Sequence, residues 1–242
     1  MDREIYGDDF YRSRRAETLY AAEQVLRLVR GRLDFGSIVD LGCGTGTWLA
    51  AALSQGTSQA TGVEGGWISH DRLDDSRIEL VTQDLEEPVL LDGRRVDLAM
   101  SLEVAEHLTP QRAKSFVGDL CSLSDVVLFG AAIPGQGGTN HINEQWQSWW
   151  AGLFAERGYL PVDLIRPRIW NDDAVPYWYQ QNTLLYVNEA GIEKTGLSPE
   201  PVAMLDIVHP RHASRHISAR EKLKMVLEIP GQHFRHWRRQ RN

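Results

Sequence analysis

The sequence predicts an α/β fold in which a mostly parallel sheet of seven strands has helices on both faces. Residues 12–31 form a helical pattern, with apolar residues returning every three or four positions along one stripe. After it, short apolar runs alternate with stretches of helical length, and strands that are joined through helices run parallel. The length of 242 residues suits one such domain with a short extension, not two independent cores.

Seven short apolar runs are the predicted strands. The first five are separated by segments long enough for crossover helices, so we expect them to be parallel. The last two are joined by a segment with Pro, Trp and weak helical periodicity, so we expect an antiparallel pair at the sheet edge. In chain order the predicted strands are Ser37–Leu41, Ala60–Val63, Ile78–Val81, Val96–Ser101, Val126–Ala132, Leu160–Ile165 and Leu184–Val187.

Composition excludes several classes of protein. With 42% hydrophobic and 24% charged residues, the chain has the composition of an ordinary globular protein. No apolar run reaches the roughly 18 residues of a membrane-spanning helix, and the first residues lack a secretory pattern, so we expect a cytoplasmic protein without a transmembrane segment. Its two cysteines, Cys43 and Cys121, are too few for a disulfide framework.

Charge is distributed unevenly along the chain. Residues 207–242 carry nine Lys or Arg against two Glu, whereas the chain as a whole has a net charge of −7. The acidic remainder would repel nucleic-acid backbones, so we expect no long nucleic acid as a partner. The basic end keeps an RNA substrate or an anionic membrane surface open as alternatives. We expect one domain over residues 1–190 and, over residues 191–242, a linker with a basic, solvated tail that contains five of the eight histidines.

The strongest local pattern is a glycine turn after the first predicted strand. Asp40 lies at the end of that strand, and Gly42, Gly44 and Gly46 alternate before an apolar helix. Glycine allows a sharp turn and the close approach of a ligand, and the helix start offers unpaired N–H groups. A dinucleotide fingerprint has its third glycine at relative position six, where this chain has Thr47. The spacing therefore favours a nucleotide-like cofactor without a pyrophosphate.

On these residues the chain resembles the class I S-adenosylmethionine-dependent methyltransferases, whose first motif is Asp/Glu-x-Gly-x-Gly-x-Gly. The resemblance implies a Rossmann-like fold, methyltransferase activity and S-adenosylmethionine as the cofactor. Glu64 ends the second strand, where a carboxylate can accept both ribose hydroxyls. Asp84 ends the third strand, where the family binds the adenine amino group, and the adjacent Leu85 could cover the ring. The implied cofactor-binding residues are Asp40, Gly42, Cys43, Gly44, Gly46, Glu64, Asp84, Leu85 and Ser101.

A cluster of polar residues follows the fourth predicted strand. If a helical turn begins at Glu103, then Glu106 and His107 lie on its face at i+3 and i+4. Two carboxylates and an imidazole form a partial shell for a divalent metal such as Mg²⁺. The Glu-x-x-Glu-His segment is similar to one in metal-dependent O-methyltransferases, including the small-RNA terminal ribose and ubiquinone-pathway enzymes, and a further downstream histidine completes the site in the RNA enzymes. The predicted metal ligands are Glu103, Glu106, His107 and His141. The alternative is that the glutamates cap a helix and His107 pairs with a neighbour.

A glycine-rich segment after the fifth predicted strand presents His141. It bends through Pro134 and three glycines, and loops of this kind lie over the site in such folds. A neutral imidazole can accept a proton near neutral pH, so His141 is the candidate general base, with Glu103 and His107 as further catalytic candidates. The alternative is a structural histidine that is hydrogen-bonded to the backbone.

These residues favour oxygen as the methyl acceptor. A hydroxyl group must lose its proton during attack, either to a base or through the influence of a metal, and both devices are predicted here. We therefore expect O-methylation of a small molecule or sugar, such as a bacterial secondary metabolite or surface glycan. N-methylation, RNA ribose O-methylation, an NAD(P)-linked oxidoreductase and a non-catalytic cofactor-binding protein remain alternatives. The aromatic residues Trp170, Tyr177, Trp178 and Tyr179 could stack on the acceptor, pack on the surface or contact a second copy in a homodimer.

Overall fold

The computed structural model describes residues 8–199 and 205–213, with side chains described from residue 15 onward. It divides the chain into two compact units, Met1–Ile207 and Val208–Asn242. In the second unit the described residues include the short helix α8 (Pro210–Ala213). Most of the predicted basic tail lies outside the described residues. Among the described residues, no helix has both the length and the apolar character needed to cross a membrane.

Strands and helices alternate along most of the first unit. Its strands are β1 (Ser37–Leu41), β2 (Gln59–Glu64), β3 (Glu79–Thr82), β4 (Leu98–Leu102), β5 (Val126–Gly130), β6 (Leu160–Val162) and β7 (Leu184–Val187). Its α-helices are α1 (Asp8–Arg30), α2 (Thr47–Ser54), α3 (Pro110–Leu123), α4 (Gln147–Ala155), α5 (Arg166–Ile169), α6 (Tyr177–Asn182) and α7 (Glu189–Thr195). Two 3₁₀ turns cover His70–Arg72 and Ala105–His107.

The seven strands form one sheet in the order β3-β2-β1-β4-β5-β7-β6. Strands β1 to β5 are parallel, whereas β7 is antiparallel to both of its neighbours, β5 and β6. The predicted fold class and the antiparallel pair at the edge are confirmed. The strand order reverses between β1 and β4, and ligands of open α/β sheets bind outside the carboxyl ends of the strands at such a point.

The two faces of the sheet bury separate cores, because successive residues of a strand point to opposite sides. Ile38 of β1 packs in the core that includes Val25 of α1 and Leu49 of α2. The next residue, Val39, belongs to the other core, with Phe116 of α3 and Phe154 of α4 among its members. Each face is therefore covered by helices, as the sequence predicts.

The segment after β7 forms a helix inside the first unit. Helix α7 begins after Asn188, whose side chain accepts the N–H of Gly191 at 2.8 Å, and it ends at Gly196 with a φ of 63°. Both are common capping devices, and glycine adopts this left-handed conformation without strain. Helix α7 thus occupies part of the segment expected to be a linker, and the first unit extends to Ile207.

Candidate active site

The glycine turn between β1 and α2 has a backbone that other residues rarely adopt. Gly42, Gly44 and Gly46 have φ values of 91°, 53° and 77°. A Cβ atom on Gly42 would lie 2.4 Å from the side chain of Val104, and one on Gly46 would lie 2.7 Å from that of Ile78. Positive φ and lack of space both require glycine at these two positions. The glycines thus let Val104 and Ile78 pack directly against the turn, which lies at the carboxyl end of β1, where the cofactor is expected.

The carboxylate of Glu64 is fixed beside this turn by two backbone amides. The N–H groups of Gly44 and Gly65 donate to its two oxygens at 2.8 Å each. Burial raises the pKa of Glu64, and these two hydrogen bonds oppose that rise because they favour the ionised form. Burial and the nearby charge of Glu64 also raise the pKa of Asp40 well above its usual range. The fold therefore presents a positioned carboxylate at the end of β2, where the ribose is predicted to bind.

Asp74, which the sequence analysis did not identify, holds the glycine turn from outside. The hydroxyl of Thr47 donates to its carboxylate at 2.6 Å, and the N–H of Asp74 donates to the carbonyl of Thr45 at 2.8 Å. Arg15 of α1 forms an ion pair with the same carboxylate at 3.1 Å. Asp74 lies in an irregular segment with no local pattern, so no sequence signal connects it to the turn.

Other predicted cofactor residues have different surroundings. Asp84 is exposed and accepts the N–H of Glu86 at 3.0 Å, whereas Leu85 is buried in a hydrophobic core. The hydroxyl of the fully buried Ser101 donates to a carbonyl of β1 at 2.7 Å. The Cys43 thiol is buried so close to Gly62 that a Cβ there would lie 2.5 Å from its sulfur. Cofactor contacts by these four residues remain predictions.

A second cluster joins three of the four predicted metal ligands. Glu106, His107 and His141 each offer one ligand atom, and these atoms all lie within 4.8 Å of one another. The two imidazole rings meet edge to face, with 4.8 Å between their centroids. The carbonyl of Glu106 accepts the N–H groups of Ile142 and Asn143 at 2.9 and 3.0 Å, which ties the glycine-rich loop to the Ala105–His107 turn.

Burial shifts the pKa values of two groups in this cluster, Glu106 and His107. Glu106 is completely buried, and neither of its carboxylate oxygens makes a hydrogen bond of normal geometry, although the amides of Glu106 and Ala132 lie nearby. Burial and the charge of Glu103 raise the pKa of Glu106 well above its usual range. Burial, together with the neighbouring His141, lowers the pKa of His107 to about 4. His107 is therefore neutral near pH 7 and has the protonation state that metal binding requires.

Both imidazoles are oriented by acceptors on their Nδ1 atoms. Nδ1 of His141 lies 3.0 Å from a carboxylate oxygen of Glu144, and Nδ1 of His107 lies 3.3 Å from the carbonyl oxygen of Asn140. Because these partners accept, each Nδ1 donates a hydrogen bond to its partner, which fixes the orientation of both rings. Glu144 is itself held by the N–H groups of Gly135 and Gly137 at 2.8 and 2.7 Å. Sequence reasoning missed Glu144, although its position three residues after His141 was a signal.

Glu103 lies apart from this cluster of ligand atoms. The predicted helical turn does not begin there, because Glu103 has a φ of 58° and the 3₁₀ turn starts only at Ala105. Its carboxylate instead accepts hydrogen bonds from the side-chain amides of Gln136 and Asn182, each at 2.8 Å. The expectation that Glu103, Glu106 and His107 share one helical face is therefore wrong, and Glu103 as a metal ligand or catalytic group remains a prediction.

Exposed aromatic surface lies on the segment that carries His141. Ile142, Trp146 and Trp149 are 56%, 40% and 39% exposed, respectively. By contrast, Tyr177 and Tyr179 between β6 and β7 are buried. Exposed apolar side chains thus follow His141 along the chain, whereas Tyr177 and Tyr179 are buried and have no exposed ring face for stacking.

Comparison with known proteins agrees with this architecture. A family model described as a methyltransferase domain matches residues 11–158, more than half of the chain. The chain therefore belongs to the methyltransferase family, and its fold is that of the S-adenosylmethionine-dependent members. No curated protein matches the sequence.

Several solved methyltransferase structures share the fold at low sequence identity. An O-methyltransferase family protein from Burkholderia thailandensis has 16% identity and a TM-score of 0.57, with 77% of this chain and 59% of that chain covered. DesVI from Streptomyces venezuelae has 17% identity and a TM-score of 0.57, with 78% and 99% covered. Magnesium protoporphyrin IX methyltransferase (ChlM) from Synechocystis PCC 6803 with bound SAH has 20% identity and a TM-score of 0.54, with 77% and 92% covered. This chain thus spans less than two thirds of the Burkholderia protein.

Proposed function

We propose that this methyltransferase transfers a methyl group from S-adenosylmethionine to a hydroxyl oxygen of a small molecule or sugar, with the help of a divalent cation held by Glu106, His107 and His141. The observation that carries the proposal is the buried carboxylate of Glu106, which lacks a normal hydrogen bond and lies beside two oriented imidazoles. An ionised carboxylate in such a place is costly unless a cation or a proton neutralises it.

The donor set is chemically suitable for a metal. One carboxylate and two imidazole nitrogens, all within 4.8 Å, are a common ligand combination for first-row transition metals with open coordination positions. Mg²⁺ prefers oxygen ligands, so it is the weaker candidate here. The acceptors on both Nδ1 atoms support the same interpretation, because metal-binding histidines usually donate their second N–H to an oxygen.

The residues around the cluster would prepare a hydroxyl for attack. A divalent cation bound there would supply positive charge that lowers the pKa of a nearby hydroxyl group. Glu144 and the carbonyl of Asn140 keep His141 and His107 oriented. If no metal takes part, the imidazole of His141 would accept the proton, so the general-base role remains the alternative.

The surroundings also favour a compact acceptor. The exposed side chains of Ile142, Trp146 and Trp149 provide apolar and aromatic surface on the segment that presents His141. Aromatic rings of this kind pack against sugar rings and planar carbon skeletons. The chain has an overall charge of −7, which disfavours a long polyanion as the acceptor.

The test is methyl transfer from labelled S-adenosylmethionine to a panel of hydroxyl-bearing and amine-bearing acceptors. The enzyme would be stripped with EDTA and then reconstituted with Mn²⁺, Zn²⁺ or Mg²⁺. We expect an O-methylated product, loss of activity on stripping and recovery with a transition metal. Glu106→Gln should abolish the recovery, whereas the control Glu156→Gln, at an exposed ion pair with Lys114, should not.

Two results would contradict the proposal in different ways. Exclusive methylation of amines would reject oxygen as the acceptor. Full activity of the stripped enzyme and of Glu106→Gln would reject the metal. In that second case, a large fall in the activity of His141→Gln would support the general-base alternative. The residual activity of this variant should then no longer decrease at acidic pH.

A further inference from the structure

Helix α4 receives its N-terminal cap from a residue that is 58 positions away in the sequence. The helix begins after Trp146, whose indole has an N–H donor but no acceptor, so this side chain cannot cap the N–H groups of the first turn. The carboxylate of Asp206 does so instead. It accepts the N–H of Ser148 at 2.7 Å and the hydroxyl of the same residue at 2.5 Å. An acidic group at this position also interacts favourably with the helix dipole.

The residues on both sides of Asp206 anchor it to the first unit. Leu205 is completely buried and packs in the hydrophobic core to which α4 contributes. Its carbonyl accepts a hydrogen bond from the guanidinium of Arg166 at 2.7 Å, and the carbonyl of Ile207 accepts one from the side-chain amide of Gln147 at 3.2 Å. Because burial and backbone carbonyls hold the segment, substitution of the exposed Asp206 side chain should remove the cap and leave the segment in place.

The start of α4 is also the end of the glycine-rich loop that carries His141, residues 134–146. Glu144, whose carboxylate lies 3.0 Å from Nδ1 of His141, comes only two residues before Trp146. The N–H of Gln145 donates to the carbonyl of Ala132 at 3.3 Å, which joins this end of the loop to the segment after β5. The positions of Glu144 and His141 therefore depend on how firmly the first turn of α4 is fixed.

We propose that Asp206 is a positioning residue for His141: by capping α4 it fixes the end of the loop and keeps the imidazole where the cation binds. The inference rests on the proposed function for the role of His141, whereas the ordering of the loop is independent of it. Without the cap, the loop would leave this arrangement part of the time. The apparent affinity for a ligand falls in proportion to the fraction of molecules that remain competent to bind it.

The test compares two variants of the full chain that each lose a helix cap. Asp206→Ala removes the cap of α4, and the control Asn188→Ala removes that of α7, where the side chain accepts the N–H of Gly191 at 2.8 Å. In calorimetric titration of the stripped protein with Mn²⁺, the affinity should fall about five-fold in Asp206→Ala, as expected for one cap, and stay unchanged in the control. Asp206→Asn retains a good capping side chain and should stay within about two-fold of the parent. The affinity for S-adenosylhomocysteine should be the same in all variants.

Hydrogen exchange of the loop amides keeps the inference testable if the parent protein binds no Mn²⁺. The N–H groups of Gly135 and Gly137 donate to Glu144, so their exchange rates report how well the loop is ordered. Asp206→Ala should speed this exchange about five-fold, and Asn188→Ala should leave it unchanged.

The outcomes separate this inference from the proposed function. Faster loop exchange in Asp206→Ala, in a protein that binds no Mn²⁺, would reject the metal and support the role of Asp206 in ordering the loop. Unchanged exchange in Asp206→Ala, or an equal increase in Asn188→Ala, would overturn the inference. In a parent protein that does bind Mn²⁺, an unchanged affinity in Asp206→Ala would overturn it as well.

Discussion

Glu64 and Glu106 are both buried carboxylates near the carboxyl edge of the sheet, yet their partners differ. Glu64 receives two backbone N–H groups at 2.8 Å from Gly44 and Gly65. Neither oxygen of Glu106 makes a normal hydrogen bond, and its pKa is raised well above the usual range by burial and by Glu103. The backbone satisfies the carboxylate of Glu64 at normal hydrogen-bond distances, whereas that of Glu106 has no hydrogen bond of normal geometry.

The difference indicates how each region is prepared for its ligand. The region around Glu64 is built from backbone groups that the glycine turn positions, so it exists before the cofactor arrives. The region around Glu106 is built from side chains on two segments, and the cation proposed above would compensate the charge of the buried acid. Substitutions at the two glutamates should therefore change different properties of the protein.

The largest effect is expected for Glu106→Gln, which removes a charged ligand from the proposed metal site. Changes in residues that only orient metal ligands cost about 10- to 100-fold, so loss of a ligand should lower kcat/KM by more than about 100-fold. The affinity for S-adenosylhomocysteine should stay the same. Steady-state kinetics and calorimetry check both statements, and a large loss of cofactor affinity would show that the two regions are not separate.

Glu64→Ala should give the opposite result, with weak cofactor binding and an intact metal site. Loss of hydrogen bonds to a charged group should weaken S-adenosylhomocysteine binding by about 10- to 100-fold. The two unpaired N–H groups of Gly44 and Gly65 should also lower the free energy of unfolding by about 1–3 kcal/mol. Calorimetry and urea denaturation measure the two effects. Unchanged affinity would mean that Glu64 serves only to satisfy the backbone.

Glu144→Gln should have a smaller effect, which is confined to the affinity for the metal. Glutamine occupies nearly the same volume but lacks the charge that holds Nδ1–H of His141, so metal affinity should fall about 10- to 100-fold. Titration of the stripped protein with Mn²⁺ or Zn²⁺ measures this, and activity at saturating metal should largely recover. An equal fall in metal affinity for the exposed control Glu156→Gln would point to a nonspecific charge effect.

The smallest effect concerns the pH dependence of stability in EDTA. Because the pKa of Glu106 is raised, the unfolded chain loses this proton first, so Glu106 destabilises the protein increasingly as the pH rises above about 4.5. The glutamine in Glu106→Gln does not titrate, so this variant should melt at a higher temperature than the parent at pH 7.5. The rise should be about 2–4 °C for each kcal/mol gained in the free energy of unfolding. The gain should shrink toward pH 4.5 in thermal scans. A constant difference across this range would exclude titration as its origin.

Much of the fold could be predicted because its signals are local. The alternation of apolar runs and helical stretches predicted all seven strands. The predicted and observed strands differ by only a few residues in length; β6, for example, ends at Val162, three residues before the expected end. The positions of Asp40, Gly42, Gly44 and Gly46 relative to β1 also follow from adjacent residues. Such features depend on side-chain periodicity and on backbone freedom, and both are properties of short segments.

The candidate site was predicted less completely because its contacts join distant segments. Glu103 was expected beside Glu106, but its φ of 58° directs the chain so that its carboxylate meets Gln136 and Asn182. Asp74 holds the glycine turn from an irregular segment. Neither arrangement has a pattern in the neighbouring residues that would reveal it.

The sequence by itself determined the α/β class, the glycine turn and the acidic residue at the end of β2, because periodicity and glycine spacing are properties of consecutive residues. Only the tertiary structure decided that Glu106 lies buried beside two oriented imidazoles and that Asp74 contacts the glycine turn. Burial and orientation arise when separate segments pack together. The chemistry of a carboxylate or an imidazole depends on those neighbours as much as on its own identity.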